Sequence, residues 1–160
     1  MHVIYYCYGG THSSPIAAAL HTGLLSPDRL ATKAELEALP WFDKVSADQR
    51  GKLLLVGRDE SGNHVYVCGR GTEKRGITQA IISGFALAGG DPDSLYFVDT
   101  LPAVNVLMRI GGYLSRRLHL VWLGRPLAVR GAQLAFPKLV RIVREAQHQL
   151  AQIKGARHPR

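Results

Sequence analysis

Cysteine is scarce in this chain, and so is negative charge in its second half. Two cysteines, Cys7 and Cys68, in 160 residues are too few for the disulfide scaffold of a small secreted domain. No apolar run reaches the ~20 residues that a membrane-spanning helix needs. No basic stretch precedes Val3, as it would in a signal peptide. The expected location is therefore the cytoplasm, with no membrane partner. Internal repeats, low-complexity tracts and linker-like stretches are lacking as well. A single domain over residues 1–153 follows, with a basic, disordered tail over 154–160. The length suffices for a sizeable core.

The shortage of acid is the sharper signal. Residues 1–100 carry nine Lys or Arg against eleven Asp or Glu, whereas residues 101–160 carry eleven Lys or Arg against Glu145 alone. A half-chain of one sign points to phosphates, nucleic acid or an acidic partner. A solvated helix face with a basic end explains the same composition without any partner. Arg109, Arg116, Arg117, Arg125 and Arg130 group near expected loops and leave both readings open.

What is present begins at the N-terminus. Val3 to Cys7 is a short, continuously apolar strand; Tyr8-Gly9-Gly10-Thr11-His12-Ser13 is a loop; Ser14-Pro15-Ile16-Ala17 opens an Ala-rich helix running to about Leu24. A strand that turns through glycines into a helix N-terminus presents free backbone N–H groups and a helix dipole to an anion. Further along, Thr32 caps a short helix over Lys33 to Leu39, with Glu35 in its first turn. Strands are expected at Lys52–Val56 and Val65–Cys68. The turn residues Asp59-Glu60-Ser61-Gly62-Asn63 between them suit an antiparallel hairpin. Ile77 to Leu87 reads as a helix ending at Gly89-Gly90, and Leu95 to Val98 as a strand. Pro102 sits in the first turn of a helix that Thr100 or Leu101 starts and Gly111-Gly112 interrupts. Leu118 to Leu123 reads as a last strand. A final helix spans Gln133 to Ile153, with Pro137 at a boundary near its start.

Strands alternating with helices in this way predict an α/β three-layer sandwich. Its sheet is mostly parallel, with about five strands and room for one antiparallel hairpin. Ligands of such sheets bind beyond the carboxyl ends of the strands. Cys7 to Ser13, Cys68 to Gly71, Asp99 to Thr100 and Gly124 to Arg125 each follow an expected strand and would share one edge. Cys68 leaves that group if the hairpin reverses its strand.

Each candidate residue also has an ordinary structural reading. Cys7 is either a nucleophile at the strand end or a small buried hydrophobe. His12 is either an acid, base or phosphate donor, or a polar loop contact. Asp99 is either a site carboxylate or a cap for the helix after it. Gly9, Gly10, Thr11, Ser13 and Ser14 form the anion-binding set, although Ser14 could simply cap its helix. Gly69-Arg70-Gly71 offers a second phosphate-cradling turn. Arg70, Arg109 and Arg125 are the candidate cations. Cys7, Cys68 and His12 lack zinc-site spacing, so no metal is expected. The residues do not identify a cofactor. The spacing G-x4-G-K-[ST] of a nucleotide P-loop is absent, together with its lysine.

Val3 to Ala19 resembles the phosphate loop of the low-molecular-weight protein tyrosine phosphatases, which opens with a strand, then Cys-x5-Arg-Ser-Pro, then an Ala-rich helix. Cys7 matches the nucleophile of that motif, Gly9 its loop glycine, and Ser14-Pro15-Ile16-Ala17 its helix entry. Ser13 stands where the family has its phosphate-clamping arginine, and a hydroxyl cannot replace a bidentate guanidinium. No late Asp-Pro acid loop matches either. The resemblance therefore implies a phosphate-binding architecture without ordinary tyrosine phosphatase activity. Nearly the whole chain also resembles a domain-of-unknown-function family found mainly in spore-forming Firmicutes (domain of unknown function 3189). That likeness rests on Cys-Tyr-Gly-Gly-Thr-His-Ser-Ser, on Phe97 to Pro102, on Met108 to Arg117 and on Leu123 to Pro126; it implies no activity. The expectation is a protein that binds a phosphorylated small molecule or nucleotide at the Cys7–Ser14 loop. The alternative is a non-catalytic interaction protein whose Arg-rich C-terminal half holds nucleic acid or an acidic partner.

Overall fold

A computed structural model describes residues 1–157. Nine principal elements follow one another: β1 (His2–Cys7), α1 (Ser13–His21), α2 (Lys33–Ala38), β2 (Leu54–Arg58), β3 (His64–Gly69), α3 (Lys74–Leu87), β4 (Leu95–Asp99), α4 (Val106–Arg116) and α5 (Val121–Arg157). The fold is mixed α/β around one open four-stranded sheet of order β2-β3-β1-β4. β1 runs parallel to β3 and to β4, while β2 pairs antiparallel with β3 through the expected hairpin. It is β2 that the hairpin reverses, so β3 ends on the same edge as β1.

The central position of β1 explains its unbroken apolar run. Residues Val3 to Cys7 are all buried, with no polar-out alternation. Val3 and Tyr5, with Val65 and Val67 of β3, join one core with Ile16, Phe136 and Leu139 from α1 and α5. Ile4, Tyr6 and Cys68 line the opposite side, covered by the half-buried Ile77 and Ile81 of α3. Every residue of α1 is buried. Its run Ala17-Ala18-Ala19 keeps that helix thin enough to lie between the sheet and α5. Full burial of a side chain such as Leu139 contributes about 2 kcal/mol.

The chain departs from the sequence reading after β4. Pro102 lies in a short 3-10 turn, Leu101–Ala103. Helix α4 starts later, where the Asn105 side chain accepts from the Met108 N–H at 3.0 Å. Gly111-Gly112 does not break it, because these glycines serve contact rather than termination. A Cβ on Gly111 would lie 2.3 Å from the Ala128 nitrogen, one on Gly124 2.3 Å from the Ser115 nitrogen, and one on Gly131 2.5 Å from the Met108 nitrogen. The two helix backbones therefore touch. The expected fifth strand, Leu118–Leu123, is the turn of this helical hairpin and the first residues of α5. The Leu118 and Leu120 N–H groups close back onto the carbonyls of Tyr113 and Leu114, and His119 takes a left-handed φ of 58°.

Helix α5 starts well before Gln133 and contains both Pro126 and Pro137. Each proline removes one helical hydrogen bond at a cost of about 3 kcal/mol. Burial of Ala128, Ala132, Ala135, Phe136 and Leu139 offsets that cost. The same helix carries the first residues of the expected disordered tail, and Lys154 Nζ donates to the Ser61 carbonyl at 3.0 Å. The remaining tail, 158–160, lies outside the described residues.

Candidate functional site

The carboxyl ends of β1, β3 and β4 bring Cys7, Gly69 and Asp99 to one edge. The loop after β1 folds directly onto the end of β3. Gly10 has φ 69°, and a Cβ there would lie 2.6 Å from the Gly69 nitrogen; a Cβ on Gly69 would lie 2.7 Å from the Gly9 carbonyl oxygen. The glycines at both places are required by this close approach.

The loop's hydroxyls hold the loop together. Thr11 Oγ1 accepts from the Val45 N–H at 3.2 Å and donates to the Trp41 carbonyl at 3.3 Å. Ser13 Oγ lies 2.9 Å from Thr100 Oγ1, whose own proton goes to the Tyr6 carbonyl. Ser13 is thus the donor of that pair. Ser14 Oγ sits 3.3 Å from Cys7 Sγ, and the Gly10 N–H donates to the same sulfur at 3.2 Å. The N–H groups of Gly9, Thr11 and His12 have no hydrogen bond among the described residues. These backbone donors, rather than the serine and threonine hydroxyls, are what the loop leaves for a ligand.

His12 is fixed from behind. Its Nε2 lies 3.2 Å from Asp43 Oδ1, and its ring edge meets Phe42 at 5.5 Å between centroids. Gly112 of α4 lies against the ring; a Cβ there would come within 2.7 Å of Cε1. Asp43 is fully buried. It accepts from Ser115 Oγ at 2.9 and 2.7 Å and from Arg125 Nε at 3.0 Å. Its backbone carbonyl takes Arg116 Nη1 at 3.1 Å, and its N–H goes to the Thr11 carbonyl at 2.7 Å. Burial would raise its pKa, but the hydrogen bonds from His12, Ser115 and Arg125 outweigh that and hold it at about 2. The carboxylate accepts from every side, so Nε2 of His12 carries the hydrogen facing it. Nδ1 then has no partner among the described residues.

Above this floor lies a cleft of about 580 Å³, within the range of small-ligand sites. Cys7, Gly9, Thr11, His12 and Ser13 line it, with Tyr8 at one side. Four arginines line it as well: Arg50, Arg109, Arg116 and Arg117. No carboxylate does. Arg50 also stacks over the Tyr8 ring, 5.2 Å from its centroid.

The candidates named from sequence thus fall into groups. Cys7, Gly9, Thr11, His12, Ser13 and Arg109 border the cleft, while Gly10 and Ser14 support it from beneath. Arg125 works one layer back, on Asp43. Arg70 donates to the Gly71 carbonyl at 3.2 Å and does not line the cleft. Asp99 does not line the cleft; it pairs with Lys74 Nζ at 3.0 Å and accepts from the Leu101 N–H at 3.0 Å. Cys68 shares the register position of Tyr6 and faces the α3 side. Burial raises its thiol to about 11. No cluster of three metal-ligating side chains occurs among the described residues. Arg116 and Arg117, which precede the expected strand Leu118–Leu123, instead lie at the end of α4 on the cleft wall. Asp43 and Arg50 had no motif to mark them, and Ser115 stood inside the Met108–Arg117 run without a role. Asp43 takes a left-handed φ of 52°, a conformation that Asp tolerates better than most residues, and nothing in the sequence pattern announces it.

The family model described as Protein of unknown function (DUF3189) matches residues 2–148. No curated protein matches the chain, and no solved structure does.

Proposed function

The chain belongs to the DUF3189 family, and from its own geometry we propose that it binds a phosphate-containing small molecule or nucleotide in the cleft over the Cys7–Ser14 loop. One observation carries the reading: four arginines and no carboxylate surround a loop with unpaired backbone N–H groups. Arg50, Arg109 and Arg117 are exposed and Arg116 is half-buried, so their guanidinium groups are open to the charge-assisted, bidentate contacts that a phosphate accepts. Arg50, Arg109, Arg116 and Arg117 would take the clamping role that Ser13 cannot. In this reading the phosphate rests against the Gly9, Thr11 and His12 N–H groups, beside Cys7 and the His12 ring. The Arg-rich half of the chain contributes three of those arginines. A nucleic acid or acidic protein would therefore compete for the same place rather than use a second one.

Thermal shift and calorimetric titration with inorganic phosphate, pyrophosphate and nucleoside mono- and triphosphates test this. At a hundredfold excess over Kd, a ligand of the folded state adds about 2.7 kcal/mol. Arg109→Gln should weaken the response about tenfold, the share of one charged hydrogen bond. If no phosphate compound stabilises the unaltered protein, the proposal fails.

A further inference from the structure

Helix α4 carries its large apolar side chains on the wrong side for a core. Its buried positions are Met108, Gly111 and Ser115, two of them small because α5 comes to backbone contact there. Its solvent side carries Val106, Ile110 and Tyr113, exposed by 68, 46 and 57%, at the i, i+4, i+7 spacing of a single stripe. Arg109 and Arg117 interleave with that stripe. The turn into α5 continues it: Leu118, Leu120, Trp122 and Leu123 are all exposed, Trp122 by 77%. Scattered exposed hydrophobes need no explanation, but a contiguous run of large ones marks an interaction surface.

Charge decides what covers it. No Asp or Glu occurs between Asp99 and Glu145. Asp43, the carboxylate that reaches α4 from elsewhere, is fully buried and already bonded to Ser115 and Arg125. The surface therefore offers apolar side chains and cations alone. A second copy docked about a two-fold axis would set these arginines against their own equivalents, with no acid to pair them. An anionic lipid interface suits both components. Leucine and tryptophan enter the headgroup boundary while arginines meet lipid phosphates. We propose that the turn between α4 and α5 docks this protein peripherally on membranes rich in anionic phospholipid. No described helix is long and apolar enough to cross a membrane, so the attachment is interfacial. Leu120, Trp122 and Leu123 do not line the cleft, whereas Tyr113, Arg109 and Arg117 border both surfaces; the turn residues Leu120, Trp122 and Leu123 are therefore the ones that separate vesicle docking from binding of a phosphate ligand.

The chain has two tryptophans, so Trp41→Phe leaves Trp122 as the sole reporter. Vesicles of phosphatidylglycerol and phosphatidylcholine should shift its emission to the blue and carry the protein down in co-sedimentation. Pure phosphatidylcholine vesicles should do neither, and added salt should weaken the effect. Leu120→Ser with Leu123→Ser should reduce vesicle affinity by a factor on the order of ten or more, and Arg117→Gln by about fivefold. Co-sedimentation of the unaltered chain measures the same binding if Trp41→Phe disturbs folding. No binding to anionic vesicles at low salt overturns the proposal, as does equal binding to pure phosphatidylcholine. A blue shift that grows with protein concentration in the absence of vesicles assigns the surface to self-association, and overturns it too.

Discussion

Arg125 Nε donates to Asp43 Oδ2 at 3.0 Å, joining positions 82 residues apart. Asp43 stands in the loop after α2, and Arg125 near the start of α5. Between them the carboxylate also takes Ser115 of α4 and faces His12 of the loop after β1. One buried group thus fixes the cleft floor to α4, which lines the cleft, and to α5, which packs behind it.

Replacing Asp43 by Asn should cost about 2–3 kcal/mol at neutral pH, below the full figure for a broken buried pair because Arg125 keeps some contact with water. The sign of the pH dependence follows from the lowered pKa. The unfolded carboxyl protonates near 3.8, the folded one near 2. The stabilisation is complete above about pH 4 and is lost as pH falls from there towards 2. Urea unfolding of both proteins should show a gap that narrows across that interval. A gap of constant size from pH 7 to 2.5 would contradict the account.

Two adjacent glycines should behave differently when replaced by Ala. At Gly111 the added Cβ meets backbone at 2.3 Å, while at Gly112 it meets the His12 ring at 2.7 Å. Gly111→Ala forces α4 and α5 apart and should lower stability by about 3 kcal/mol or more. Gly112→Ala asks only a side chain to move. It should retain most of the stability and weaken phosphate binding through the displaced imidazole. Melting temperature and calorimetry on the same samples separate the two effects; similar melting temperatures would count against the backbone contact.

A second buried histidine predicts a milder acid response. Tyr5 OH lies 2.6 Å from His21 Nδ1, and His21 Nε2 lies 3.0 Å from Asp59 Oδ2. Burial lowers the His21 pKa below 6.5 despite that carboxylate. The unfolded state then binds the proton first, so this contribution is full above about pH 6.5 and declines as pH falls below it. His21→Gln should be less stable at pH 7.5 and should lack this decline. A parallel pH profile in the variant would remove His21 as its source.

Thiol alkylation should distinguish the two cysteines. Burial puts the Cys68 thiol at about 11, so iodoacetamide at pH 8 should leave it unmodified in the folded protein. Cys7 lines the cleft and should be the site that reacts. Pyrophosphate should slow its modification if the cleft holds phosphate. Peptide mass spectrometry reads both positions; faster labelling of Cys68 than of Cys7 would overturn the assignment.

Local patterns made much of this legible. The apolar run of β1, the Thr32 cap with Glu35 and the Asp59–Asn63 turn are short-range devices, and each forms the element it announces. Leu118–Leu123 misled because alternation and apolarity describe an exposed helical turn as well as a strand. Gly111-Gly112 and the two prolines misled because their effect depends on what lies across from them. Asp43 escaped notice since its partners come from 31 to 82 residues away.

Residue order specifies the strand, glycine loop and helix start around Cys7–Ser14, and the acid-poor second half. Both follow from the order of residues along the chain, since backbone conformation and composition are local. Tertiary structure alone decided where that positive charge goes. Backbone contact at Gly111, Gly124 and Gly131 clamps α4 on α5. The buried Asp43 then ties that pair to the loop, which brings Arg109, Arg116 and Arg117 over Cys7 and leaves the apolar face of α4 to solvent.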